Sequence, residues 1–234
     1  MTETQPDIKR PYTMMLVAVS LDGKISPNRR PGQPNPIGPS LIAPEIMRLH
    51  NAQRRTVDGI MVGLNCILLD DARLTLRDAA GQNPTRIVLD GLAEMPPTAR
   101  VLNDEAPTIV GVTADAPADR VAAFRARGAK IVSAGSGKFV SLPALMSELA
   151  RHHGIRRLLV EGGGTVHRSM IADDLYDEIQ LIICPFVIGG ADSITPVERS
   201  AFWPAEAITR YRLSKAETLG DYLYVIYTPD KQRR

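Results

Sequence analysis

Short runs rich in Val, Ile and Leu recur along the 234-residue chain, at residues 12–19, 59–62, 85–89, 108–112, 130–132, 157–160, 178–184, 211–217 and 222–227. Apolar runs of this length bounded by turn residues read as strands, and those without strict alternation read as strands covered on both faces. Together they predict one wide sheet. Between them lie helical spacings. Ile42, Ile46 and Leu49 form one stripe with Pro44 in the first turn, and Val121 and Phe124 form another between Pro117 and Gly128. Leu142, Leu145, Met146 and Leu149 form a third, with Ser141 as N-cap and Gly154 as stop. The strand and helix alternation over 108–160 predicts parallel neighbours joined by right-handed crossovers. Only 219–221 separates the last two runs, which predicts an antiparallel hairpin at one edge. The fold class expected is therefore α/β: a mostly parallel central sheet of about nine strands with an antiparallel C-terminal hairpin and helices on both faces.

Composition narrows the function classes. With 28 Lys plus Arg against 26 Asp plus Glu the net charge is +2, too balanced for the electrostatic footprint of a general nucleic-acid or membrane-surface binder. The two cysteines, Cys66 and Cys184, have no C-x-x-C spacing and fit a reducing cytoplasm. No apolar run approaches the ~18 residues a membrane span needs. His152 and His153 fall in the last turn of a helix, where polar residues are common, so no metal site is expected. The segment 28–40, with four prolines and two glycines, reads as an irregular loop, either a lid or a tolerated insertion.

The strongest chemical signal is Leu158-Leu159-Val160-Glu161-Gly162-Gly163-Gly164-Thr165-Val166, a strand running through three glycines into a helix. Missing side chains and a helix N-terminus make such a bend a cradle for a phosphate. It is not the G-x-G-x-x-G fingerprint, because His167 stands in the place of the last glycine. Glu161 ends its strand at the carboxyl edge, where it could accept hydrogen bonds from a substrate or cap the next N–H groups. The second signal is residues 61–77, where Asp70, Asp71, Arg73 and Arg77 follow Gly63 closely. These are a solvated face or a set that grips a ligand amide and a phosphate.

Six segments in order carry a resemblance: Ser20-Leu21-Asp22-Gly23-Lys24-Ile25, residues 63–77, Asn83-Pro84-Thr85-Arg86-Ile87-Val88-Leu89-Asp90, Glu161-Gly162-Gly163-Gly164-Thr165, Asp177-Glu178-Ile179 and Pro185-Phe186-Val187-Ile188-Gly189-Gly190. Over residues 11–228 the chain resembles the pyrimidine reductases of riboflavin biosynthesis, stand-alone or as the C-terminal domain of the bifunctional deaminase-reductase. The H-x-E and P-C-x-x-C pattern of a zinc deaminase is absent, so a free-standing reductase domain over 11–228 with flexible ends is expected. The resemblance implies a dihydrofolate reductase-like fold, NADPH as cofactor and a homodimer. It also implies reduction of a ribosylamino-pyrimidinone 5′-phosphate at the sugar C1′, and a cis bond within the Gly162-Gly163-Gly164 run.

Carried over residue by residue, the resemblance places Glu161 and Asp70 at the reacting centre. Ser40, Arg54, Leu74, Arg77 and Glu161 fall on the substrate side. Val19, Cys66, Asp70, Gly162, Gly163, Gly164, Thr165, Val166 and His167 fall on the cofactor side. Phe202 and Trp203 offer an apolar surface for pairing with a second copy, and Asp90 with Glu94 lies toward the adenosine end. Four positions depart from the pattern: Leu16 replaces Asn or Lys, Cys66 replaces Thr, Ala72 replaces Pro and Gly91 replaces Ser. Losing a polar group at 16 leaves open a dihydropterin substrate, or a nucleotide-binding protein without turnover.

Overall fold

The computed structural model describes residues 9–37, 41–77, 81–198 and 208–230. Ser40, Phe202 and Trp203 lie outside them. The nine strands, β1 (Tyr12–Val19), β2 (Gly59–Gly63), β3 (Thr85–Leu89), β4 (Thr108–Val112), β5 (Lys130–Ser133), β6 (Arg157–Gly162), β7 (Glu178–Ile183), β8 (Tyr211–Leu219) and β9 (Tyr222–Pro229), form one sheet. Their order is β5-β4-β3-β2-β6-β1-β7-β9-β8. All pairs from β5 to β7 are parallel, and β9 pairs antiparallel with both β7 and β8.

One expectation needs correction. β4 and β5 are parallel neighbours, but β6 does not lie beside β5; it is inserted between β2 and β1. Composition explains the placement. Leu158, Leu159 and Val160 of β6 are fully buried and need cover on both faces, whereas β5 begins with exposed Lys130 and ends with exposed Ser133, as an edge strand can.

Two apolar layers sandwich the sheet. On one face Met14, Leu16, Ile60, Val62, Val88, Val110 and Leu159 pack against α1 (Pro44–Arg54), α2 (Leu64–Asp70) and α3 (Ala118–Ala126). On the other, Met15, Val17, Met61, Ile87, Ile109 and Val160 pack against α4 (Leu142–His152) and α5 (Gly164–Ala172). Alternation along each strand thus sends Leu159 and Glu161 toward α1 and α2. Helix α1 keeps the expected stripe and adds to it: Ile46 is buried, Ile42, just before the helix, and Leu49 pack partly buried against the same layer, and Asn51 and Arg54 are buried as well. Two polar side chains face inward there because other elements meet them, Arg54 the carboxylate at the end of β6 and Asn51 the backbone N–H of Arg77. Among the described residues, no helix is long and apolar enough to cross a membrane.

Candidate active site

The site forms where β6 ends. Glu161 is the penultimate residue of that strand, with its side chain 8 % exposed. Arg54, in the last turn of α1, grips it with two parallel bonds: Nε donates to Oε1 at 2.7 Å and Nη2 to Oε2 at 2.6 Å. The third nitrogen, Nη1, donates to the Thr75 carbonyl at 2.6 Å and so ties α1 to the segment after α2. One helical turn before Arg54, His50 brings Nε2 to 3.5 Å from Glu161 Oε1. Burial opposes ionisation of Glu161, but Arg54, His50 and Arg77 overcome it and hold the carboxyl at about 2. Glu161 is therefore a fixed anion at neutral pH. Burial and the neighbouring Arg54 in turn lower the Arg77 guanidinium, with Glu161 opposing.

The segment leading to Arg77 is shaped by two residues in the left-handed region, Asp71 (φ 43°) and Leu74 (φ 54°). Asp71 closes α2 and accepts the Arg100 N–H at 2.9 Å. Leu74 turns inward and is 3 % exposed. Asn51 Oδ1 accepts the Arg77 N–H at 3.0 Å, which fixes the backbone from which that guanidinium projects. Arg54 and Arg77 were expected to share a substrate phosphate. The structure divides their tasks: the charge of Arg54 is matched by Glu161, whereas among the described residues no ion pair involves Arg77.

Beyond Glu161 the backbone turns through a cis Gly162–Gly163 bond, within the run where one was expected. Gly162 has φ +147°, a conformation open to glycine, and a Cβ there would lie 3.5 Å from Cys66 Sγ on α2. At Gly63 a Cβ would come within 2.8 Å of Val166 Cγ2, so the missing side chain lets α5 close on the end of β2. Gly163 differs: a Cβ there would meet nothing within 4 Å. Gly164 is covered, since a Cβ would meet Glu198 Cγ at 2.6 Å and the Thr195 carbonyl at 2.7 Å. Only the Gly163 side of the bend is open. As the first residues of α5, Gly164 and Thr165 have N–H groups without intrahelical acceptors. An open glycine beside such donors fits the pyrophosphate of a dinucleotide.

The remaining cofactor-side residues are placed unequally. Val19 ends β1 and gives its carbonyl to the Cys184 N–H at 2.7 Å. Burial, then Asp70 and Glu161, push the Cys66 thiol up to about 12, so it stays neutral. Asp70, at the end of α2, accepts Arg29 Nη2 at 2.8 Å. Arg29 belongs to the proline-rich loop and is also held by Ser26 Oγ and the Gln33 carbonyl. The His167 side chain is fully buried, with Nδ1 2.6 Å from the Tyr176 hydroxyl, and the backbone N–H of His167 donates to the carbonyl of Gly163, the N-cap of α5. Asp90 also turns inward. It is 1 % exposed and accepts the N–H groups of Glu94 and Met95, so it caps a turn and does not face a ligand.

Two of the four departures gain a structural reason. At Gly91 a Cβ would collide with the Lys138 carbonyl, because the loop after β5 folds onto that turn. Leu16 is 1 % exposed. The parallel register pairs Met15 with Val160, so Leu16 lies one step further, beside Glu161, and adds an apolar floor to the site. His50, Asn51, Arg29 and Thr75 escaped the sequence reading. The signal for the first two was the spacing of His50 and Asn51 to Arg54, four and three residues, which puts all three on one side of α1.

The sequence profile of the RibD C-terminal domain matches residues 11–225. The 2,5-diamino-6-ribosylamino-4(3H)-pyrimidinone 5′-phosphate reductase of Methanothermobacter thermautotrophicus is 43 % identical over 224 residues, covering 94 % of this chain and 98 % of that protein. Among solved structures, Acinetobacter baumannii RibD superposes with a TM-score of 0.77 at 19 % identity, over 95 % of this chain and 59 % of that longer one. Enterococcus faecalis dihydrofolate reductase superposes with a TM-score of 0.53 at 12 % identity, over 94 % of this chain and 97 % of that one, which extends the likeness to the dihydrofolate reductase fold. A profile match over nearly the whole chain, together with a relative of this identity, establishes that the chain belongs to the RibD C-terminal domain family.

Proposed function

We propose that this chain is an NADPH-dependent reductase that converts the ribosyl group of 2,5-diamino-6-ribosylamino-4(3H)-pyrimidinone 5′-phosphate to the ribityl form in riboflavin biosynthesis. The observation that carries this reading is the carboxylate of Glu161, locked as an anion by Arg54 and set one residue before an open glycine bend. A relative named for this substrate shares 43 % of its residues. Reductases of this fold use a nicotinamide cofactor; the choice of NADPH, the homodimer and the cytoplasmic setting follow the family resemblance.

When bound, the nicotinamide supplies hydride to the ring-opened imine. The chain's own residues do the rest. Gly163 leaves room for the pyrophosphate, and the first N–H groups of α5 complement its charge. The Arg77 guanidinium binds the ribose phosphate, and two-pronged geometry suits it to that task. Glu161 accepts hydrogen bonds from amino groups of the heterocycle, oriented by Arg54 so that no side-chain freedom is lost on binding. Leu74 and Leu16 wall the site with apolar surface, which excludes water and strengthens those bonds. Asp70, already held by Arg29, borders the nicotinamide side.

The test is reduced-nicotinamide oxidation with a panel of substrates. Turnover is expected with the ribosylamino-pyrimidinone 5′-phosphate and none with dihydrofolate. The reverse result overturns the assignment and favours the dihydropterin reading that the apolar Leu16 keeps open.

A further inference from the structure

We infer that His50 is the proton donor of the reduction, its Nε2 giving a proton to the substrate nitrogen as the adjacent carbon is reduced. The inference rests on the reductase reading above. Reducing a C=N bond needs a proton at nitrogen as well as hydride at carbon. Most titratable groups around the end of β6 are unsuited to give one. Glu161 is ionised and doubly bonded to Arg54. Asp70 accepts from Arg29. Cys66 holds its proton up to about 12. Leu16, the neighbour of Glu161 on β1, has no proton to offer.

His50 has the opposite character. Its Nε2 lies 3.5 Å from Glu161 Oε1, longer than the ~2.7–2.9 Å of a committed charge-assisted bond, so the N–H is not used up. A quarter of the side chain is exposed, enough to meet a ligand seated on Glu161. The charged groups facing it are Glu161 from β6, Arg54 on its own helix and Arg77 from the segment after α2. Burial lowers its pKa and both arginines add to this, while Glu161 opposes them. The imidazolium is thus a stronger acid than a free histidine, and a phosphate dianion on Arg77 favours its charged form in the complex.

The balance is simple. The imine carbon gains hydride from a reduced nicotinamide, which is oxidised to its pyridinium form. The C=N electron pair moves onto nitrogen, and a new N–H bond forms as the Nε2–H bond of His50 breaks. Neutral imidazole then recovers its proton from solvent.

His50→Gln tests the assignment. It keeps a polar side chain and is expected to lower kcat at least ~100-fold, the usual span of a general acid, with cofactor affinity unchanged. In the parent, kcat/KM, which reports the free enzyme, falls as pH rises through a His50 pKa below the ordinary 6.5; in His50→Gln that limb disappears and any limb due to the substrate phosphate remains. A readout independent of turnover is the His50 ring proton in NMR, whose titration is expected to move to higher pH when 2,5-diamino-6-ribitylamino-4(3H)-pyrimidinone 5′-phosphate binds. If the variant misfolds, the parent titration decides. A parent that turns over this substrate while His50→Gln keeps both kcat and the limb overturns the role of His50 alone, as does a ring titration indifferent to the product. A parent with no turnover of this substrate overturns the reductase reading, and the role of His50 with it.

Discussion

Two buried arginines sit at opposite ends of the sheet and have opposite partners. Arg54, at the carboxyl edge, meets a carboxylate with two bonds and a carbonyl with the third nitrogen. Arg86, at the amino edge on β3, is fully buried and meets only neutral oxygens: Asn103 Oδ1 at 2.6 Å and the carbonyls of Asn103 and Ala106. Its Nε has no partner among the described residues, and burial lowers its pKa, with Glu105 and Asp104 opposing. Close by lies a hollow of about 450 Å³ lined in part by Asn83, Asn103, Glu105 and Arg127, at the far end from Glu161. Burial of a cation therefore does not mark a ligand site. Arg86 staples the loop after the 3-10 turn Arg100–Leu102 to the sheet, whereas Arg54 fixes the ionisation and direction of a carboxylate at the edge where α/β sheets bind ligands.

Replacing each arginine by Met separates the two roles. Arg54→Met leaves Glu161 buried without its main counter-ion and is expected to cost about 3–5 kcal/mol with loss of activity, read by urea denaturation and turnover. Arg86→Met strands the 103–106 carbonyls and should cost about 2–4 kcal/mol, with KM unchanged for both substrates. Acid titration sharpens the contrast. The carboxyl of Glu161 is held at about 2 against its ordinary 4.5, so the pair's contribution is fully present above 4.5 and is lost as pH falls toward 2. Linkage makes that contribution on the order of 3 kcal/mol, and Arg54→Met should lack the window. Equal loss of activity in both variants would mean that Arg86 serves the site as well.

The glycines offer the next contrast. Gly163→Val puts a branched side chain into the open space beside α5 and should weaken binding of the reduced dinucleotide by about 100-fold or more, with little change in stability, since its φ of −90° suits any residue. Gly164→Ala instead meets Glu198 Cγ and the Thr195 carbonyl, both under 3 Å away, and should destabilise the fold by about 1–3 kcal/mol. Calorimetric titration with NADPH and thermal melting read the two effects. Unimpaired binding by Gly163→Val would remove the cradle from the site.

Arg77→Ala should act more mildly than either change. It removes a phosphate contact made alike in ground state and transition state, so KM for the phosphorylated substrate rises about 10- to 100-fold while kcat changes little. If kcat falls and KM holds, Arg77 acts on the reacting centre and not on the phosphate.

How much of this was legible before the structure follows from where the information resides. The strands were readable because burial on both faces writes itself as runs such as Met14 to Val19 and Leu158 to Val160, which differ from loops whatever their neighbours. Sheet order was not: nothing local to β6 says that β2 and β1 flank it, since that depends on apolar cover supplied by the rest of the chain. Site residues divide in the same way. Glu161, the glycines and the cluster holding Asp70 and Arg77 announced themselves by contiguity, and Arg54 through a resemblance. His50, Arg29 and Thr75 depend on contacts spanning 21 to 111 residues, such as Arg54 to Thr75 and His50 to Glu161; beyond the four-residue spacing of His50 to Arg54, a single sequence does not show which distant residues meet. The stripe expected on α1 packs as read, but the burial of polar residues beside it was missed for a related reason. Arg54 answers to a carboxylate and Asn51 to a backbone N–H from other elements, so both are buried although polar.

His167 provides the finest test of where site ends and core begins. It is four residues from the open Gly163, yet its ring is fully buried, and burial alone pulls its pKa down to about 4. The neutral ring is bonded at Nδ1 to the Tyr176 hydroxyl, and Nε2 has no partner among the described residues. Tyr176→Phe removes one buried hydrogen bond and should cost only about 1–2 kcal/mol. Because the shift comes from burial and not from the hydroxyl, the variant should keep the parent's acid response: stability present above the ordinary 6.5 and lost as pH falls toward 4. Dinucleotide affinity should stay at the parent value. A tenfold weakening measured by calorimetry would mean that the Tyr176–His167 contact orients the first turn of α5 toward the cofactor, and would move the boundary of the site one layer into the core.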